Sequence, residues 1–200
     1  RFGIDFISSI IQSKANSLSS YHSVLNEQTD VSSVRDVMRD WFVANLINDP
    51  DVKGGIYSYG DYDIPSIRTE HFHPNFTEGK FENLTLRSGA AQYIQFYEGQ
   101  DIEFEMEHDM RDYFNMAVIK HKAVPEIDFL DMESGQYNFS DDSFGEDYYK
   151  ISFIPYWVST DNMRDSMSIS YKATGVGGTR ERELAYDEGQ VDFFITLEGS

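Results

Sequence analysis

The sequence predicts a mostly β protein: an antiparallel β-sandwich of jelly-roll type, preceded by a small N-terminal helical unit. Three observations predict it. Apolar spacing is helical up to about residue 50 and alternating beyond it. Tyr (13) and Phe (15) dominate the large side chains, which suits pleated surfaces. About eight short apolar stretches are then separated by turn signals, with no helical segment between them, which disfavours a parallel α/β sheet.

The helical unit is expected over residues 1–50. Ile4, Ile7, Ile10 and Ile11 form one stripe with Phe6 beside it. A shorter helix over 19–28 turns Tyr21, Val24 and Leu25 inward. Ser32 or Ser33 can cap a third helix, because a hydroxyl accepts from a free N–H of the first turn. Its apolar face holds Val34, Val37, Met38, Trp41, Phe42, Ala44 and Leu46, and Asn48-Asp49-Pro50 ends it. Trp41 is expected in the core, against the sheet or against residues upstream of this sequence.

Gly54-Gly55 opens the second part, expected over 56–200. Turn-rich 56–65 leads to strands at 81–86, 91–97, 102–106 and 114–120. Ile102, Phe104 and Met106 share one face, with Glu103, Glu105 and Glu107 on the other as a solvent side. Residues 126–147 read as an acidic loop around one short strand. A long strand at 149–158 is broken by Pro155, which suggests an edge or a bulge. Strands at 167–173 and 190–197, with a glycine turn at 175–178, complete the pattern.

Net charge −19 disfavours nucleic acid and anionic membrane surfaces as partners, since both need a basic patch. There is no cysteine, which excludes disulfides, thiolate zinc sites and Cys nucleophiles. No apolar run approaches a membrane span. A helical start without Met leads us to expect that the true N-terminus lies upstream.

Two stretches resemble a known arrangement. RFGIDFISSIIQSK, a short helix, and then VRDVMRDWFVANLIND resemble the last helices of secreted zinc metallopeptidases of the immune-inhibitor-A-like and hyicolysin-like kind. The Asp-Trp-x-x-Ala-Asn pattern is Asp40, Trp41, Ala44 and Asn45 here, and IYSYGDYDIP matches the aromatic linker that leaves such a helix. LTLRSGAAQYIQF (residues 84–96), with Ala90, Ala91, Tyr93 and Ile94, is similar to the opening strand of a jelly-roll accessory domain in those proteins. The later strands with Tyr171, and Tyr186-Asp187-Glu188-Gly189, continue the likeness. The resemblance implies a non-catalytic C-terminal region that stabilises or targets a secreted, bacterial parent. Its partner would be the catalytic domain upstream. The chain lacks His-Glu-x-x-His, in which two His one helical turn apart bind zinc, so the resemblance places any zinc upstream.

Three groups are candidate sites. His71 and His73 share one side of a strand if residues 71–73 form one, so both imidazoles could face a zinc ion; His108, His121 or a distant carboxylate would complete the set. Asp128, Asp131, Asp141 and Asp142 lie in a glycine-punctuated acidic stretch of the kind that supplies oxygens to calcium, and the resemblance adds a structural calcium as an expectation. Tyr156 and Trp157 follow Pro155 and are the candidate binding surface. They serve the alternative reading, a carbohydrate-binding or adhesion module that meets extracellular protein or glycan. No catalytic set is evident.

Overall fold

A computed structural model describes residues 4–14, 18–28, 33–60, 64–65, 67, 69, 71–74, 82–109, 112–132, 135–159 and 165–175. Expectations at 176–200, including the last strand, the end of the glycine turn and Tyr186 to Gly189, fall outside them.

Three helices come first: α1 (Ile4–Gln12), α2 (Leu18–Gln28) and α3 (Val34–Ile47). Ser33 is the cap of α3, accepting from the Asp36 N–H, and Asn48 ends it in the left-handed conformation at φ 42°. The strands are β1 (His71–Pro74), β2 (Glu82–Arg87), β3 (Ala90–Ala91), β4 (Ile94–Tyr97), β5 (Ile102–His108), β6 (Phe114–Lys120), β7 (Glu126–Asp131), β8 (Gln136–Asp141), β9 (Lys150–Trp157) and β10 (Ser166–Gly175).

Sheet A runs β1-β4-β9-β6-β7, with β3 also on β9, and sheet B runs β2-β10-β5-β8. Without β1 and β3, the order in each sheet is that of two interleaved Greek keys, a jelly roll. Every pairing is antiparallel except β1 with β4. The core between the sheets is aromatic. Phe104 of sheet B stacks on Phe153 of sheet A at 3.8 Å, and Phe96 and Phe139 meet Phe153 edge-on.

Two expectations about strands are corrected. Residues 126–147 hold two strands rather than one short strand in a loop, because Glu126 and Asp128 of β7 alternate with Ile127 and Phe129, and Gln136, Asn138 and Ser140 of β8 alternate with Tyr137 and Phe139. β9 is central, not an edge. The Gln92 N–H donates to the Pro155 carbonyl at 3.0 Å. N–H and C=O of one strand residue point the same way, so the N–H that proline lacks faces the gap between β3 and β4, where no ladder bond is lost.

Alternate residues of β9 face opposite layers. Ile151, Phe153 and Trp157 enter the sandwich core. Ile154, Tyr156 and Val158 join Phe42, Val43 and Ala44 of α3 in a second buried cluster. Arg35 and Arg39 of α3 lie over the Tyr113 and Phe129 rings, at 3.2 and 4.3 Å from the centroids. Asn45 donates to Tyr93 Oη at 3.3 Å and accepts from Tyr59 Oη, which ties the helix end, the aromatic linker and the sandwich together.

The loop after β8 depends on one glycine. Gly145 has φ +94°, and a Cβ there would stand 2.2 Å from the Gly99 carbonyl oxygen. A side chain at 145 would push the two turns apart.

Candidate functional site

Trp41 is not core. It is 48% exposed and Tyr21 is 43% exposed. The helix turns at 100° per residue, so with Phe42 and Val43 on the sheet, Trp41 lies on the far side of α3. There it lines an apolar groove of about 320 Å³ with Tyr21, Leu25, Val34, Val37 and Met38. The apolar stripe of α3 is therefore wide enough to serve two surfaces, one buried against sheet A and one open.

Tyr156 and Trp157 are also corrected. Both are buried, at 4% and 3% exposure. Tyr156 packs on Phe42 at 5.8 Å, and the Trp157 indole N–H donates to the Asp112 carbonyl at 3.0 Å. Neither presents a ring face to a ligand.

His71 and His73 do share one side of β1, facing the sandwich edge. Glu82 of β2 and Tyr171 of β10, a directly paired couple across sheet B, meet them there. His73 Nε2 is 2.8 Å from Tyr171 Oη, Tyr171 donates to Glu82 at 2.8 Å, and His71 Nδ1 is 3.6 Å from Glu82. Burial lowers the His73 pKa, with Glu82 opposing and His71 assisting. The Tyr171 hydroxyl is pushed far up by burial and by donation to Glu82. Glu82 and Tyr171 stand where a third ligand was sought. His121 and His108 are engaged elsewhere, with Ser152 and with the Asp109 carbonyl. Among the described residues, no group of three His, Asp or Glu is placed to hold a metal ion.

The acidic stretch faces a protein cation. Lys120 Nζ lies 2.7 Å from Asp141 and 3.7 Å from Glu126. Asp141 also accepts from the Ser143 N–H at 2.9 Å and from Tyr148 Oη at 2.8 Å, and these donors hold it far below the ordinary carboxylate range against the cost of burial. Lys120 thus neutralises Asp141, one of the four carboxylates of the calcium expectation. Asp128 and Asp142 are exposed, and the Asp131 side chain is outside the described atoms.

One constellation had no marker in the sequence. Among the described elements, α3 packs on one end of sheet A's outer face. At the other end, Phe72, Gln95 and Ser152 stand side by side on β1, β4 and β9, with Tyr97 and Lys150 paired in the next row. Phe72 is 47% exposed, and its ring centroid is 6.4 Å from that of Tyr97. Gln95 Nε2 donates to Ser152 Oγ at 2.9 Å, and Ser152 is 2.8 Å from His121 Nε2. Ser152 Oγ therefore accepts from the Gln95 amide and is bridged by a second hydrogen bond to the His121 ring. Burial, then the Lys150 charge, lowers the His121 pKa to about 4. The Ser–His pair is not a nucleophile and base, because Ser152 is buried.

No family model matches the chain, and no curated protein does. Several solved structures overlap the sandwich loosely. PliG, a periplasmic inhibitor of g-type lysozyme from Aeromonas hydrophila, is 10% identical, covers 52% of this chain and 95% of its own, and has a TM-score of 0.36. The pre-peptidase C-terminal domain of a Bacillus anthracis collagenase is 10% identical over 54% of this chain and 99% of its own, at 0.34. A family 29 carbohydrate-binding module is 10% identical over 50% and 77%, at 0.28. At such scores the likeness fixes neither fold nor activity, and the sandwich stands on its own strand order. No helix among the described residues is long and apolar enough to cross a membrane.

Proposed function

We propose that this chain is a non-catalytic accessory region of a larger secreted metallopeptidase-like protein, a jelly-roll module whose helical unit docks the rest of the parent. The observation that carries it is the groove between α2 and α3. Exposed apolar surface of this kind, aromatic and contiguous, is the usual mark of an interface. α3 is anchored to sheet A on its other side by Phe42, Val43 and Ala44, so the groove is held on a rigid support. A domain packed there would sit at a fixed angle to the sandwich. Zinc chemistry belongs to that domain in this reading, and the sandwich stabilises or positions it outside the cell.

The test is hydrogen exchange on the longer polypeptide encoded by the gene, compared with residues 1–200 alone. Slower exchange across 18–47 in the longer chain, together with an upstream His-Glu-x-x-His, is the expected result. Equal exchange in the two, or an upstream sequence without that motif, rejects the proposal.

A further inference from the structure

We propose that the end of sheet A's outer face away from α3 binds an acidic saccharide, with the exposed Phe72 and the partly exposed Tyr97 as the stacking floor and Lys150 as the anchor for its carboxylate. This does not rest on the helix groove, and either can fail alone.

The cation is the first reason. The chain carries a net charge of −19, and the other three described lysines of the sandwich are paired: Lys120 with Asp141, Lys122 with Glu126 at 2.8 Å and Lys172 with Glu105 at 2.6 Å. Lys150 is half-buried, and no carboxylate or hydrogen-bond partner meets it among the described residues. Burial alone lowers its pKa. A desolvated ammonium without a counter-ion is a cost to the fold, and an incoming anion relieves it. The local need for a counter-ion works against the field of a chain with net charge −19, so the ligand must reach Lys150 at short range and carry its negative charge on a group that the rings position there.

The rings are the second reason. Phe72 and Tyr97 lie on adjacent strands, tilted 32° to one another, beside Lys150. An aromatic face is electron-rich and takes the slightly positive C–H face of a pyranose. The third reason is rigidity. Gln95, Ser152 and His121 form a hydrogen-bonded row across the strands beside the rings, and His121 is the next neighbour of Lys150, its backbone N–H donating to the Lys150 carbonyl at 3.0 Å. A flat ring, a carboxylate and hydroxyls on one molecule describe a uronate. An acidic peptide offers the charge without the flat C–H face.

The experiment is isothermal titration of the full chain with trigalacturonate, with its fully methyl-esterified form, and with a tetraglutamate peptide. The acid sugar is expected to bind, the ester at least about tenfold more weakly, and the peptide not measurably. Lys150→Gln should lose at least about tenfold for the acid sugar and leave the ester unchanged, while Lys150→Arg retains binding. Phe72→Ala should weaken both sugars, and Phe72 is exposed enough that its loss leaves the core intact. Unfolding curves that match the parent chain confirm that each variant is folded. Equal affinity for acid and ester, binding of the peptide but not the sugar, no binding of any probe, or a Lys150→Gln variant with unchanged affinity each overturns the proposal.

Discussion

The outer faces of the two sheets differ sharply. Sheet B meets water with Asn83, Thr85, Arg87, Ser168, Glu103, Glu107, Gln136, Asn138 and Ser140, all exposed. Sheet A shows no such solvent side. Its outer face is buried under α3 at one end and carries Phe72, Tyr97, Gln95, Ser152 and Lys150 at the other. The same two-layer architecture therefore has one face built to be inert and one built to be covered. Short polar side chains resist association, whereas aromatic rings and an unpaired cation favour a second layer, whether a helix of the same chain or a ligand.

Substitutions along β9 break or sharpen this contrast, since its residues alternate between the two environments. Phe153 is in the sandwich core, and Phe153→Ala should cost about 4 kcal/mol in urea unfolding, from lost burial plus a cavity between Phe104, Phe96 and Phe139. Ile154, the next residue, faces α3. If the helix makes sheet A's outer face a true second core, Ile154→Ala should cost about 3 kcal/mol. A cost below about 1 kcal/mol would mean that α3 rests on the sheet without consolidating it.

Acid should find the polar end of the same face. His121 binds its proton at about 4 in the folded chain against 6.5 as a free side chain. Between those values the unfolded chain holds more protons, so stability is full above about pH 6.5 and falls as pH drops toward 4. The loss reaches roughly 3 kcal/mol at about 1.4 kcal/mol per pH unit. His73, also lowered, adds to the slope in the same direction. His121→Gln keeps a hydrogen-bonding partner for Ser152 and should flatten His121's share. Unfolding midpoints of the variant and the parent chain that run parallel from pH 7 to 4 would contradict this account.

Sheet B should yield the smallest effect. Lys172→Ala removes the ion pair with Glu105 on an open surface, where Lys172 holds that carboxyl below its ordinary range. Solvent and salt screen such a pair, so the unfolding midpoint is expected to stay where it is in the parent chain. A thermal shift would show that the polar face contributes more than solubility.

Much of the fold was legible where one force dominated. Strict alternation at Ile102, Phe104 and Met106 is what a strand with one wet side must show, and β5 follows it. The Ser33 cap and the Asn48 stop were legible because they are local hydrogen-bond chemistry. β9 was misplaced because a strand buried on both faces loses its alternation, and Pro155 then looks like an edge. β7 and β8 are hard to see in the sequence because a charged or polar residue stands beside each apolar one, so the stretch reads as hydrophilic although Ile127, Phe129, Tyr137 and Phe139 recur at every second position. Trp41 lines an open groove where the sequence predicts core, and Trp157, a candidate for a binding surface, is buried. Side-chain type alone does not say which face of an element is covered.

The candidate sites divide in the same way. His71 and His73 share a side by the period of any strand, and that was readable. Glu82 and Tyr171 meet them only because β2 and β10 pair in register 89 residues apart. Composition and local periodicity determined that this chain would form helices followed by a sandwich rich in aromatic packing, because both follow from contacts within a few residues. Which faces are covered, which lysine lacks a partner, and which rings stay open depend on strand order and on where α3 comes to rest. Those are long-range pairings, and no single stretch of the chain encodes them.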